Sequence, residues 1–287
     1  MKNLHKKQLR LSRRGFWLVC VLLVCLRLAL TSFQQAYTWV GGAPLDDELM
    51  FRAAQNITAG EWLGAYDYLT LSKAMFFPVW LALLHALHLP YLVAGAALWC
   101  GAALLAAFAF SPLWRKKRPE QGRVLTLALF AALAFLPSSW AAYTLRVYRD
   151  NIFPALCLYF FAGMAGMALR AVFEKDKPLW PWLAAAGAGL ACGYLDREDA
   201  GLFLLPFAAA ATAIVAVVLV CQRRWRAFAA QLIPYAMLGV DVYKRQTGRC
   251  ARRNCANSAT STARTTAATT AWCPAPAART ASTPPIC

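Results

Sequence analysis

Apolar runs long enough to cross a membrane, separated by short clusters of Lys and Arg, govern what this chain can fold into. They lie at 15–33, 91–113, 124–145, 152–173, 179–195 and 201–221, and a seventh begins near 227 and is cut off at 240. A helix needs about 20 predominantly apolar residues to cross the hydrocarbon core, and in lipid only a helix or a closed barrel satisfies its own backbone. With 60% of residues hydrophobic and 15% charged, this is not the composition of a soluble domain. The expected fold is all-α, a polytopic transmembrane helical bundle over 15–240 behind a basic segment at 1–14. The expected surroundings are membrane lipids.

The formal net charge of +17 raises nucleic acid as a partner. A nucleic-acid face gathers its basic residues on one folded surface. Here they flank apolar runs, which is how the positive-inside rule fixes topology, so nucleic acid is not expected. Lys2, Lys6, Lys7, Arg10, Arg13 and Arg14, with no acid among them, predict a cytoplasmic N-terminus and a signal anchor at 15–33. The run at 74–89 is short for a span and ends at His88-Leu89-Pro90. If it crossed, Arg115-Lys116-Lys117-Arg118 would fall outside; laid against the bundle on the outer side, it leaves every later basic loop in the cytoplasm.

Three acidic groups then share the extracytoplasmic side, although no acid entered that argument: Asp46-Asp47-Glu48, Asp150 after Arg149, and Asp196, Glu198 and Asp199 around Arg197. Ionisable groups at one face of a membrane bundle are expensive and mark sites. The outer loop at 34–90 carries the first group. Asp46 or Asp47 is expected to cap a helix running to Gly60, whose Leu49, Met50, Ala53, Ala54 and Ile57 form one apolar stripe. Structural readings stand beside functional ones. Lys73 serves equally as an interfacial anchor, Asp150 as the partner of Arg146 or Arg149, and Asp199 as a helix cap. Arg27, in the outer half of the first run, is expected to snorkel outward, the alternative being contact with a substrate's phosphate.

Other features carry less. No CxxC pair occurs, and Cys20, Cys25, Cys100, Cys157, Cys192 and Cys221 sit inside apolar runs as small hydrophobes. The histidines are His5, His85 and His88, so zinc-ligand spacing is absent. Gly189 with Gly193, and Gly163 with Gly166, predict close helix contact. Asn56-Ile57-Thr58 has the pattern of a glycosylation sequon, which has meaning only in a eukaryotic secretory pathway, and it is assigned no role.

Asp47-Glu48-Leu49-Met50-Phe51 followed by Ala54 resembles the acidic motif in the first outer loop of the GT-C superfamily of polytopic glycosyltransferases. Further resemblances follow in order: Gly60-Glu61-Trp62 with Tyr66-Asp67, then Lys73-Ala74-Met75-Phe76-Phe77-Pro78. The second resembles a Lys-Gly-Pro-Gly-Tyr-Pro stretch without its Gly-Pro. Asp150 ahead of Ile152-Phe153-Pro154 resembles the second-loop acid. Gly189-Leu190-Ala191 through Arg197 to Pro206 resembles the turn between the fifth and sixth spans. The resemblance covers most of 15–240. It implies a truncated member similar to mannosyltransferases and aminoarabinose transferases of a bacterial plasma membrane. The implied reaction is inverting transfer of a sugar from a polyprenyl-phosphate carrier to an extracytoplasmic acceptor. Asp47 is the implied base, with Glu48 or Asp150 orienting it; Asp47 and Asp150 are candidate ligands for a divalent metal. Lys73 and Arg197 are the implied phosphate-binding cations. The alternative is a transporter or flippase for a polar or lipid-linked solute, disfavoured because the acids sit at span ends and no internal repeat is visible.

After Val240 the character changes. Asp241-Val242-Tyr243-Lys244-Arg245-Gln246 can be encoded by GATGTGTATAAGAGACAG, which resembles the transposon mosaic end of sequencing adapters. The following residues, rich in Ala, Thr, Arg, Pro and Cys, have no period of 2 or 3.6. Residues 241–287 are therefore expected to be an out-of-frame, low-complexity tail outside the fold, and Cys250, Cys255, Cys273 and Cys287 carry no redox meaning.

Overall fold

The computed structural model describes residues 11–38, 44–62, 64, 73–117, 121–174, 177–197 and 199–223. All fall in the first of two compact units, Met1–Met237; the second, Leu238–Cys287, and the expected seventh run lie outside the described residues. The helices are α1 (Arg13–Ser32), α2 (Pro44–Thr58), α3 (Phe76–Ala86), α4 (Tyr91–Lys117), α5 (Gly122–Ala134), α6 (Ala142–Leu145), α7 (Phe153–Phe173), α8 (Trp180–Asp196) and α9 (Ala200–Cys221). No strand occurs among the described residues, only an isolated bridge between Tyr37 and Arg146. The fold is the expected all-α bundle. Five segments are long and apolar enough to cross a membrane: Arg13–Ser32, Tyr91–Arg115, Gly122–Trp140, Arg149–Phe173 and Ala200–Cys221. α8, at 17 residues, rises about 25 Å and falls short of that length. α3, at 11 residues, is shorter still and packs mainly on α2.

The expected run at 124–145 is broken. α5 ends at Ala134, a 3-10 turn spans Pro137–Trp140, and α6 is a single turn. The cause is Pro137. The residue before a proline is pushed out of the helical region, and Leu136 has φ −59° and ψ 126°. That break creates the irregular stretch 136–152, which supplies much of the site described below.

α7 lies between α4 and α8 at the centre of the bundle. Its contact with α8 is backbone to backbone. A Cβ on Gly163 would stand 2.5 Å from the Ala186 nitrogen, and one on Gly189 would stand 2.5 Å from the Phe160 nitrogen. The close contact therefore sets Gly163 against Trp182 and Ala186, and Gly189 against Leu156 and Phe160; a Cβ on Gly193 would meet nothing nearer than 3.4 Å. α1 sets its buried face through Phe16, Cys20, Arg27 and Thr31, and turns Leu18, Val21, Leu22 and Leu26 outward.

Candidate functional site

The acids gather because three segments, the start of α2 and two irregular ones, meet at one end of the bundle. α2 begins at Pro44, a residue preorganised for the first helical position, so Asp46 and Asp47 lie inside its first turn rather than capping it as expected. Gly60, at φ +82°, lies just beyond the helix in the left-handed region that glycine favours. Met50, Ala53 and Ala54 bury the predicted stripe. The second segment, 146–148, is extended: Arg146 has φ −65° and ψ 137°, Tyr148 φ −152° and ψ 171°. The Val147 amide donates to the Tyr37 carbonyl at 2.9 Å, and the Tyr37 amide donates to the Leu145 carbonyl at 3.1 Å. The Tyr91 hydroxyl donates to the carbonyls of Arg146 (3.0 Å) and Tyr148 (3.1 Å). Arg146 is thus fixed from both sides before its side chain is considered. The third segment is the turn from α8 into α9.

Asp47 is 4% exposed, and both its oxygens accept from Arg146, Oδ2 from Nε at 3.3 Å and Oδ1 from Nη2. Arg146 also lies 4.4 Å over the Tyr148 ring. Asp46 Oδ2 takes Lys73 Nζ at 3.2 Å and the Tyr148 hydroxyl at 3.4 Å. Arg149, itself buried, donates to the Tyr148 hydroxyl (3.0 Å) and to the Asp196 carbonyl (3.1 Å). Asp196 is fully buried. Arg197 donates to Asp150 Oδ1 at 3.0 Å and forks onto both oxygens of Asp199 at 3.0 and 3.1 Å.

Electrostatics follow these pairs. The Asp47 hydrogen bond holds the Arg146 guanidinium above its usual range, and the Asp199 hydrogen bond does the same for Arg197. Reciprocally, Arg197 pulls the Asp199 carboxyl below the ordinary carboxylate value.

Of the residues singled out from sequence, Asp47, Asp150, Lys73 and Arg197 come together in this layer. Glu48 does not: its side chain is 65% exposed and pairs with Arg52 one turn on, at 3.5 Å. Glu198, Tyr66 and Asp67 lie outside the described residues. Asp150 pairs with Arg197, not with Arg146 or Arg149 as its structural reading expects, because Arg146 is committed to Asp47. Asp199 offers α9 no side-chain cap, since its oxygens face Arg197. Both candidate ligands for a divalent metal are already paired with a cation. Asp47 and Asp150 each face a different arginine, and among the described residues no three His, Cys, Asp or Glu side chains converge.

Arg146 and Tyr148 were not singled out as site residues by sequence. Their signal was the alternation in Arg146-Val147-Tyr148, which in an extended segment puts the first and third side chains on one face. Arg27 corrects a further expectation. It does not snorkel but is 2% exposed, donating from Nη2 to the Ser139 carbonyl at 2.9 Å and lying 3.3 Å over the Trp140 ring. The reason is register: Arg27 shares the buried stripe of α1 with Cys20 and Thr31. No family model, curated protein or solved structure matches this chain.

Proposed function

We propose that this chain is a membrane glycosyltransferase of GT-C type that moves a sugar from a polyprenyl-phosphate carrier to an acceptor on the extracytoplasmic face, with its N-terminus in the cytoplasm of a bacterial cell. The observation that carries this reading is the gathering of Asp47, Asp150, Lys73 and Arg197 at one end of an apolar bundle. Transfer with inversion needs a carboxylate to accept the acceptor hydroxyl's proton while that oxygen bonds to the anomeric carbon. The bond from anomeric carbon to phosphate oxygen breaks, and its electron pair leaves on the phosphate. Cations that stabilise the departing phosphate must be held in place beforehand.

In this reading Lys73 and Arg197, held by Asp46, Asp150 and Asp199, are the preorganised cations. The donor phosphate exchanges with a carboxylate on Arg197, releasing Asp150 toward the acceptor. Asp47 orients the acceptor or takes its proton as Arg146 shifts to the incoming charge. Glu48, turned to Arg52, has no part in it.

The test is Asp47→Asn in the membrane-embedded protein, assayed in turn with polyprenyl-phosphate mannose and polyprenyl-phosphate aminoarabinose. Transfer by the parent protein should fall at least about 100-fold in the variant, the scale of a lost acid–base group. Helical content and membrane insertion should hold. Full transfer by Asp47→Asn overturns the assignment. Solute flux that ignores Asp47 favours a transporter.

A further inference from the structure

We propose that the pocket around Arg27 is a binding site for a phosphate oxyanion. The proposal rests on this pocket alone and not on the transfer reaction. Arg27 is buried, yet its Nε and Nη1 have no hydrogen-bond partner, and no carboxylate among the described residues pairs with it. A buried guanidinium without a counter-charge is strongly unfavourable, so a site that keeps one is built to receive an anion. Its face is covered by Trp140 and its Nη2 is anchored on Ser139, so the remaining donors are held in place.

The pocket is a cavity of about 40 Å³ between α1, α4 and the stretch 138–154. Three of the hydroxyls lining it have spent their protons: Thr31 donates to the Arg27 carbonyl (2.9 Å), Ser139 to Leu136 (2.7 Å) and Tyr143 to Ser138 (3.0 Å). Gln34 and Ser138 also line the pocket, and the charged donors left open are those of Arg27. The open acceptor is Oδ1 of Asn151, whose Nδ2 donates to the Thr144 carbonyl at 2.7 Å. An oxyanion rich in acceptors and carrying one proton satisfies both. At about 13 Å³ for each water-sized group, the cavity admits about three, which suits the three terminal oxygens of a phosphomonoester and is too small for a sugar ring or a nucleotide. Guanidinium is the side chain best matched to phosphate geometry. The mouth is formed by exposed Ser138 and Tyr143, at the end of the bundle that carries Asp47, so both a phospholipid headgroup and free phosphate have access.

The experiment is thermal unfolding of the full chain in a phosphate-free detergent, titrated with inorganic phosphate in one arm and phosphatidic acid, whose phosphomonoester keeps a proton near neutral pH, in the other. Chloride at equal ionic strength is the control. The wild type should gain about 5 °C at saturation with at least one probe. The arm that responds names the source. Arg27→Gln should weaken that probe at least tenfold. Gln34→Glu, which places a carboxylate in the pocket without touching the Arg27 anchors, should abolish the response. Gly95→Ala should blunt it, because the new Cβ would stand 2.0 Å from Asn151 Oδ1 and drive the amide into the cavity. If Arg27→Gln does not fold, the other two variants decide. Absence of response to either probe in the wild type overturns the proposal and leaves water as the filler. An undiminished response in Gln34→Glu and Gly95→Ala does the same for the location.

Discussion

Two arginines are buried in apolar helices at opposite ends of the bundle, and they are held differently. Arg170 of α7 stacks over Trp182 at 3.8 Å and donates to the carbonyls of Phe108 (3.0 Å), Ala109 and Gly166 (both 3.3 Å), with Glu174 at 3.8 Å. One of those carbonyls is available for a reason written in α4: Pro112 has no amide to donate four residues back, so Phe108 accepts instead from Arg170 and from the Ser111 hydroxyl at 2.8 Å. Arg27 also stacks on a tryptophan and also takes a neighbouring carbonyl, but it lacks a carboxylate and keeps two nitrogens unused. The same side chain thus closes a helix contact in one place and in the other keeps donors that the surrounding protein does not complete. What differs is whether the surrounding backbone and carboxylates complete its donor set.

The comparison breaks most visibly under truncation. Arg170→Leu should cost about 3 kcal/mol, because the Ala109 and Gly166 carbonyls each lose a buried donor and Glu174 keeps its charge beside one fewer cation. Arg27→Leu should cost under about 1 kcal/mol in phosphate-free detergent, since it removes an uncompensated charge along with two hydrogen bonds. Denaturant unfolding of both variants checks this, and a larger loss at Arg27 reverses the contrast. Gly166→Ala should follow at about 2 kcal/mol, an overpacking cost. The added Cβ would stand 2.0 Å from the Trp182 ring, the seat of Arg170, and unfolding of this variant with Arg170→Leu should be less than additive. The smallest effect belongs to an arginine paired at the surface. Arg197 lowers the Asp199 carboxyl, so that pairing contributes fully above the ordinary carboxylate value of about 3.9 and is lost as pH falls through the lowered value. Asp199→Asn should flatten the acid side of the stability–pH profile slightly, and salt should mask the difference because Asp199 is half exposed. A steep change there would mean that the pair is shielded from solvent.

The helices were legible because their signal is local. Apolar runs at 15–33, 152–173, 179–195 and 201–221 became α1, α7, α8 and α9 within a residue or two at each end. The short run at 74–89 was recognisable as something other than a span. The end of α5 was also legible in principle at Pro137, but apolar residues beyond it masked the break. Within the site, the one-sidedness of the acids followed from counting basic loops, and Asp47, Asp150 and Arg197 do meet at one end. Their partners were not readable. Asp47 finds Arg146 and Asp150 finds Arg197 across large sequence separations, and several nearby arginines were chemically equivalent choices.

By itself the sequence determined that this chain is a helical bundle with membrane-spanning helices and that its carboxylates lie at helix ends. Hydrophobic period, length and proline position act over one or two turns, where chain neighbours suffice. Only the tertiary structure decided which cation faces which carboxylate and that Glu48 stays outside the cluster. It alone decided that Arg27 turns inward onto Ser139 and Trp140 while Arg170 is satisfied. Those outcomes depend on how Tyr37, Tyr91 and the broken segment 136–152 place backbone carbonyls in three dimensions, and pairing at about 3 Å is settled by that placement rather than by residue type.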